Sequence, residues 1–349
     1  QAHPDPEHRW LLRHGREFCG GGWTSMIQTL WQQQSQILLV AWALLATVWL
    51  WAMPREKIRW LDRAYPVLPL AVAAVAVSGQ VAPRFLADFL QLGLWLWLWL
   101  TVVWVISLIK RDASIMDIAY GMLLLAAPWW LYQHLGAEGQ ASHLLLLAMA
   151  TVGFGRYSLY ILWRNLPHGE DPRYARWRQR SGARFWWWSY FQIFLLQGVV
   201  IWVWAIPLLF GMTSPGPIGF WHVAGALVWL VGFVFEAGAD WQLTRFKRLR
   251  TDKSQLLNTG LWALTRHPNY FGQTCMWWGY SVFALSHSWG WLSVVPAVYV
   301  TWFMNKGSAT SLMERHMAKS KPGYAAYCAH VPAFFPRLPT KTPQPKDTA

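Results

Sequence analysis

"LWLWLWLTVVWVISLIK", residues 94–110, opens as a strict alternation of leucine and tryptophan and closes on a lysine. A period of two is the pattern of a strand, but a half-buried strand alternates apolar with polar residues, and here both alternating residues are apolar. The run is also longer than the roughly 9–11 residues a membrane barrel strand needs, and it approaches the ~20 residues of a spanning helix. It reads as a lipid-facing helix, because inside a bilayer only helices and closed barrels satisfy their own backbone.

The rest of the chain repeats that character. Of 349 residues, 55% are hydrophobic and 13% charged, 29 are tryptophan, and the formal net charge is +14. That balance excludes an ordinary soluble domain and points to a polytopic membrane protein. Apolar stretches near 37–53, 66–83, 84–109, 114–134, 143–163, 190–211, 218–238, 269–286 and 288–304 predict an all-α transmembrane bundle of about nine spans. Residues 1–36 read as a polar arm and 37–110 as N-terminal spans of unreadable role. Residues 111–340 read as the main membrane domain and 341–349 as a tail. The arm carries no short apolar region with a cleavage site, so the first span is expected to act as the insertion signal. Cys19, Cys275 and Cys328 form no spacing motif, and His3, His8 and His14 match no metal-ligand pattern, so no metal is expected.

Basic residues fall in alternate loops. Arg55, Lys57, Arg59 and Arg63 follow the first span, Lys110 and Arg111 the third. Six arginines from Arg164 to Arg184 follow the fifth, and Arg245, Lys247, Arg248, Arg250, Lys253 and Arg266 follow the seventh. The intervening loops hold almost none, which predicts an outside N-terminus and a cytoplasmic C-terminus, as in an inner membrane. The two later clusters are more basic than orientation requires and suit a ligand carrying several phosphates. No GxGxxG or GxxxxGK[ST] is present, so such a ligand would be held by side chains projecting from helices. No feature calls for nucleic acid; the expected partners are membrane lipid and a lipophilic small molecule.

Glu236 and Asp240 lie four apart and share a helix face, where they can grip ribose hydroxyls or pair with Arg245 or Lys247. "RNLPHGEDPRYARWRQRSG" (164–182) carries Arg173 and Tyr174 and reads either as part of an anion site or as an interfacial helix with snorkelling arginines. "GLWALTRHPNYFGQTCMWWG" (260–279) crowds Arg266, His267, Asn269 and Tyr270 at a helix mouth. Two ionisable residues inside apolar stretches, Asp117 and Arg156, are functional candidates for that reason alone.

Taken in order, "DASIMDIAYG" (112–121), "GRYSLYILWRN" (155–165), "GEDPRYARWR" (169–178), "SYFQIFLLQG" (189–198), "EAGADWQLTRFK" (236–247), the 260–279 stretch and "MERHMAKSKPGYAAYCAHVPAFFP" (313–336) resemble the bacterial branch of the steroid 5α-reductase superfamily. The resemblance implies helices surrounding NADPH, with hydride passing to the β-carbon of a lipophilic enone. By motif it implies cofactor roles for Arg156, Arg164, Asn165, Asp240, Lys247 and Asn269, with Arg266, His267 and Tyr270 flanking the last. Gln273 stands where a glutamate is common, and Gly153 where the steroid enzymes carry a catalytic tyrosine. Asp117 takes the place of their membrane glutamate, directly or by orienting Tyr120 at i+3, as the group that protonates or polarises the substrate carbonyl. Alternatives are an S-adenosylmethionine-dependent membrane methyltransferase, which shares the helix-mouth motif, and a non-catalytic member of the fold. The methyltransferases carry paired glutamates before the terminal helix, where this chain has Glu314 followed by Arg315.

Overall fold

The computed structural model describes residues 83–338, apart from 137–138, 166–168, 215 and 307. The expected polar arm, the spans at 37–53 and 66–83, the first basic loop, the histidines and cysteine of the arm, and the tail lie outside the described residues. Among the described residues there are helices and no strand. α1 (Pro83–Lys110), α2 (Ile115–His134) and α3 (Ala141–Asn165) come first. A helical stretch follows, made of α4 (Pro172–Ser181), α5 (Phe185–Ser189), a π-helical segment Tyr190–Leu195, α6 (Leu196–Trp204) and α7 (Ile206–Thr213). Beyond it lie α8 (Phe220–Leu249), α9 (Pro268–Ala284), α10 (Val294–Lys306), α11 (Ser308–Ser320) and α12 (Tyr324–His330).

Among the described residues five helical stretches are long and apolar enough to cross a membrane: Phe85–Lys110, Ile115–His134, Ala141–Asn165, Pro172–Thr213 and Phe220–Leu249. The expected spans at 269–286 and 288–304 come out shorter. α9 has 17 residues and α10 has 13, so at 1.5 Å per residue they reach only about 26 and 20 Å. Glycine-290 and its neighbours open α10 with a 3-10 turn, Gly290–Ser293, which takes up part of the apolar run.

The leucine–tryptophan run is helical, and its burial follows the helix period rather than the alternation. Phe85, Phe89, Leu92, Leu96 and Leu100 are buried while Leu98, Trp99 and Val102 are about half exposed, as a helix with one packed and one lipid-facing side requires. α1 packs on the stretch that follows α4. Trp202 stacks on Phe89 at 4.5 Å, donates to the Phe89 carbonyl at 2.7 Å, and lies over Gly93, where a Cβ would stand 2.6 Å from its ring. Trp97 donates to the Tyr190 hydroxyl at 2.6 Å.

By contacts the described residues divide into two compact units: 83–116 with Glu170–Trp202, and Asp117–Gly169 with 203–338. The first joins segments distant in sequence. In the second, α8 and α9 lie close enough to exclude side chains between them. A Cβ on Gly232 would stand 2.5 Å from the Gly272 carbonyl and the Met276 amide, and one on Gly225 2.6 Å from the Gly279 carbonyl. Glycines seven apart on each helix let the two backbones touch, the small-residue packing of membrane helices. That approach brings the N-terminus of α9 alongside the last turns of α8.

Candidate functional site

Proline at the first helical position and His267 before it start α9, as the fixed φ of proline favours. Asn269, in its first turn, accepts from the Tyr270 amide at 3.1 Å, satisfying one donor that a helix start leaves open, and its amide donates to Asp240 Oδ1 at 3.3 Å. Asp240 Oδ2 in turn accepts from both terminal nitrogens of Arg156 at 3.0 Å. The same guanidinium reaches Glu236 Oε1 at 3.1 Å. Three helices, α3, α8 and α9, thus meet in one cluster of two carboxylates, one arginine and one asparagine.

The partner of the acids is therefore an arginine 84 residues away in sequence, where local spacing had offered Arg245 or Lys247. The carboxylates are almost withdrawn from solvent, Glu236 4% and Asp240 7% exposed. One guanidinium does not neutralise two carboxylates, and the hydrogen bonding is incomplete. Glu236 Oε2 and Arg156 Nε are buried without a hydrogen-bond partner. An unused acceptor and an unused donor in one buried cluster are costly unless something supplies the complement.

Farther along α3, Tyr160 lies under two arginines: Arg156 stands 5.7 Å and Arg164 5.9 Å from its ring centroid. Arg164 donates to Asn165 at 3.1 Å, and Arg248 covers Trp163 at 5.4 Å. Lys247 follows Asp240 by two turns of α8. Tyr160 was not among the sequence candidates, although its position four residues from each arginine was readable.

Arg266 is placed differently from the expectation that it holds phosphate. Its Nε and Nη2 donate to Glu314 Oε1 at 3.0 and 2.8 Å, and its Nη1 donates to the Val331 carbonyl at 2.7 Å. The Arg266 amide bonds to the Pro332 carbonyl and Thr265 to the Phe334 carbonyl, so the C-terminal segment is tied back onto residues 264–266. His267 stacks on Tyr270, with ring centroids 5.4 Å apart, and shares Glu314 Oε1 at 3.3 Å. Burial pushes the His267 imidazole below its ordinary 6.5, against the pull of Glu314. Burial opposes ionisation of Glu314 as well, but the Arg266 hydrogen bonds and the charges of Arg266 and His267 hold its carboxyl below the ordinary range. Glu314 was noted in the sequence only for the arginine that follows it.

Arg173 and Tyr174 belong to the other compact unit. Asp171 caps α4 by accepting from the Arg173 amide at 2.8 Å, and pairs with the same residue's guanidinium at 3.0 Å; Tyr174 is buried and takes a 3.5 Å bond from Gln197. Glu170 accepts from the Ala113 amide and binds Arg178 through both oxygens, at 2.7 and 3.1 Å. These contacts fasten the "GEDPRYARWR" segment.

Asp117 sits in the first turn of α2. Tyr120, one turn on, meets the rings of Tyr157 and Trp204 edge-on at 6.5 and 6.4 Å. Gly153 lies in a tightly packed spot: a Cβ there would stand 2.6 Å from the Cε end of the flexible Met276 side chain, which would have to move, and 3.2 Å from the Trp229 ring, with the Tyr280 hydroxyl at 3.4 Å. The Tyr280 hydroxyl, from α9, lies next to this position.

A family described as "Protein of unknown function (DUF1295)" matches residues 103–331. The chain belongs to the DUF1295 family. That family is related to steroid 5α-reductase, so the resemblance read from the motifs holds at the level of the superfamily. Among curated proteins, this DUF1295 chain is 28% identical over 164 residues to a Delta(14)-sterol reductase, LBR, of Gallus gallus. That match covers 41% of the chain and 24% of the reductase. It is also 24% identical over 265 residues to an uncharacterized protein of Schizosaccharomyces pombe, covering 68% of the chain and 76% of that protein. The family match, residues 103–331, contains every part of the cluster, from Arg156 to Asn269. At this level the DUF1295 chain is a membrane protein related to reductases.

Proposed function

We propose that the protein is an NADPH-dependent membrane reductase acting on a C=C bond of a lipophilic, steroid- or isoprenoid-like enone. The observation that carries this reading is the pair of unused groups in the α3–α8–α9 cluster. The Arg156 Nε donor and the Glu236 Oε2 acceptor together suit a primary carboxamide or a sugar hydroxyl, each of which both accepts and donates, and a nicotinamide nucleotide contains both. Asn269 holds Asp240 in place, and Arg164, Asn165 and Lys247, on the same helices as Arg156 and Asp240, would take phosphate. Arg266 is a positioning residue, since its donors are already used. When bound, NADPH supplies the hydride for the β-carbon. Asp117, directly or through Tyr120, gives a hydrogen bond or proton to the substrate carbonyl, where negative charge develops. The partial similarity to a sterol reductase supports the reaction class.

A second reading rests on the same cluster. Two buried carboxylates against one guanidinium leave negative charge in excess, which also suits the cationic sulfonium of S-adenosylmethionine. Titration of detergent-purified protein with NADPH, NADH and S-adenosylmethionine separates the two. NADPH is expected to bind, and Glu236→Gln to weaken it about tenfold. Binding of S-adenosylmethionine alone replaces the reductase by the methyltransferase, and binding of none leaves a non-catalytic member of the fold. In the same preparation Asp117→Asn should keep NADPH affinity and lose enone turnover; unchanged turnover removes Asp117 from the chemistry.

We further place the basic loops on the cytoplasmic side of about nine spans, α9 and α10 included, by the positive-inside rule. Reporter fusions at Gln140 and Gly182 should then give opposite sides. A common side for both dismantles that orientation.

A further inference from the structure

Facing α11 and α12 is a cavity of about 560 Å³ whose walls include Ser254, Glu314, Arg315, Lys319, Lys321 and Tyr324. Its carboxylate, Glu314, is committed to Arg266 and His267. Lys321 donates its ammonium hydrogens to the carbonyls of Lys253 and Gln255, which fixes the 251–255 loop as one wall without neutralising the charge. Arg315 and Lys319 lie four apart on α11, one above the other, and among the described residues neither has a carboxylate partner. Like charges at this spacing destabilise a helix, and three cations around one cavity are relieved by an anion with several acceptor oxygens.

We propose that this cavity is a binding site for a phosphate monoester or diester, held by Arg315 and Lys319 with Lys321 behind them. The phosphate can come from the 2′-phosphate of a nucleotide, a source that rests on the reductase reading, or from an anionic lipid headgroup, which does not. Arg266 itself is engaged by Glu314 and the Val331 carbonyl, so the cations of this cavity are Arg315, Lys319 and Lys321.

The test uses full-length protein and the double variant Arg315→Gln/Lys319→Gln, with the loop-holding Lys321 left intact. Without ligand, the variant should be at least as stable as the parent, because a repulsion has been removed; a lower melting temperature overturns the proposal in favour of a structural role. Calorimetric titration with adenosine 2′,5′-bisphosphate, with adenosine 5′-monophosphate as control, probes the nucleotide source. Melting temperature in nanodiscs with and without phosphatidylglycerol probes the lipid source. A loss of about tenfold or more in bisphosphate affinity, with NADH binding unchanged, assigns the site to the nucleotide. Loss of the stabilisation by phosphatidylglycerol, with bisphosphate unaffected, assigns it to lipid. If parent and variant respond alike to both probes, the cavity is not an anion site. Failure of the reductase reading appears separately, as absence of NADH and NADPH binding in the parent.

Discussion

Arg156 and Arg266 are both largely buried arginines held by glutamate, yet they are held for different ends. Arg266 spends its guanidinium on one carboxylate oxygen and on backbone carbonyls, and its surroundings close a loop: residues 264–266 are stitched to 331–337. Arg156 faces two carboxylates, leaves its Nε unused and faces a glutamate oxygen that nothing donates to. A satisfied arginine builds structure, whereas an arginine in an unsatisfied, unbalanced cluster marks a place where a ligand can complete the bonding. Both arginines fall in motifs the sequence singles out, and only their packed surroundings tell the two apart.

The largest effect expected from this contrast is at Arg156. Arg156→Ala leaves Glu236 and Asp240 buried together without a cation, which should cost about 3–5 kcal/mol, and chemical or thermal unfolding in detergent would register it. Adding Glu236→Gln and Asp240→Asn to that variant should recover most of the loss. A single variant as stable as the parent would remove the buried ionic cluster from the comparison. Next, Arg266→Ala should cost about 2 kcal/mol of stability through lost charged hydrogen bonds, while nucleotide affinity in the folded fraction stays at the parent value. The opposite pattern, intact stability with weakened nucleotide binding, would return Arg266 to the ligand site. The smallest effect is on pH. Both His267 and Glu314 have folded-state values below their ordinary ones, so the unfolded chain binds protons first and their contribution is lost as pH falls. Stability should decline as pH drops below about 6.5 for the histidine, and further through the carboxylate range. His267→Gln should flatten the upper part of that decline, and an unaltered profile would show that His267 does not titrate on unfolding.

Some of the site was legible before any coordinates. Asp171 and Pro172 announce the start of α4, and Pro268 that of α9, because caps and fixed φ angles act within a turn. Glu236 and Asp240 share a face by simple helical spacing, whereas the hydrogen bond from Asn269 to Asp240 is a tertiary contact. The glycines at 225, 232, 272 and 279 carried a readable seven-residue spacing that marks close helix packing, and they position the whole cluster. The glycine at 153, which looked like a missing catalytic group, faces Met276, Trp229 and Tyr280 in the packed structure, neighbours that sequence spacing does not reveal.

What the sequence determined by itself is the local and the collective: helices rather than strands, the membrane as solvent, and the superfamily. Those follow from apolar runs and short-range backbone chemistry, which need no distant partner. The tertiary structure alone decided which charges meet. Arg156 reaches acids 80 and 84 residues on, and Arg266 an acid 48 residues on. No periodicity encodes such pairings, because the energy of a buried charge depends on its distance and burial in the packed state, and those are set by how α3, α8 and α9 fit together.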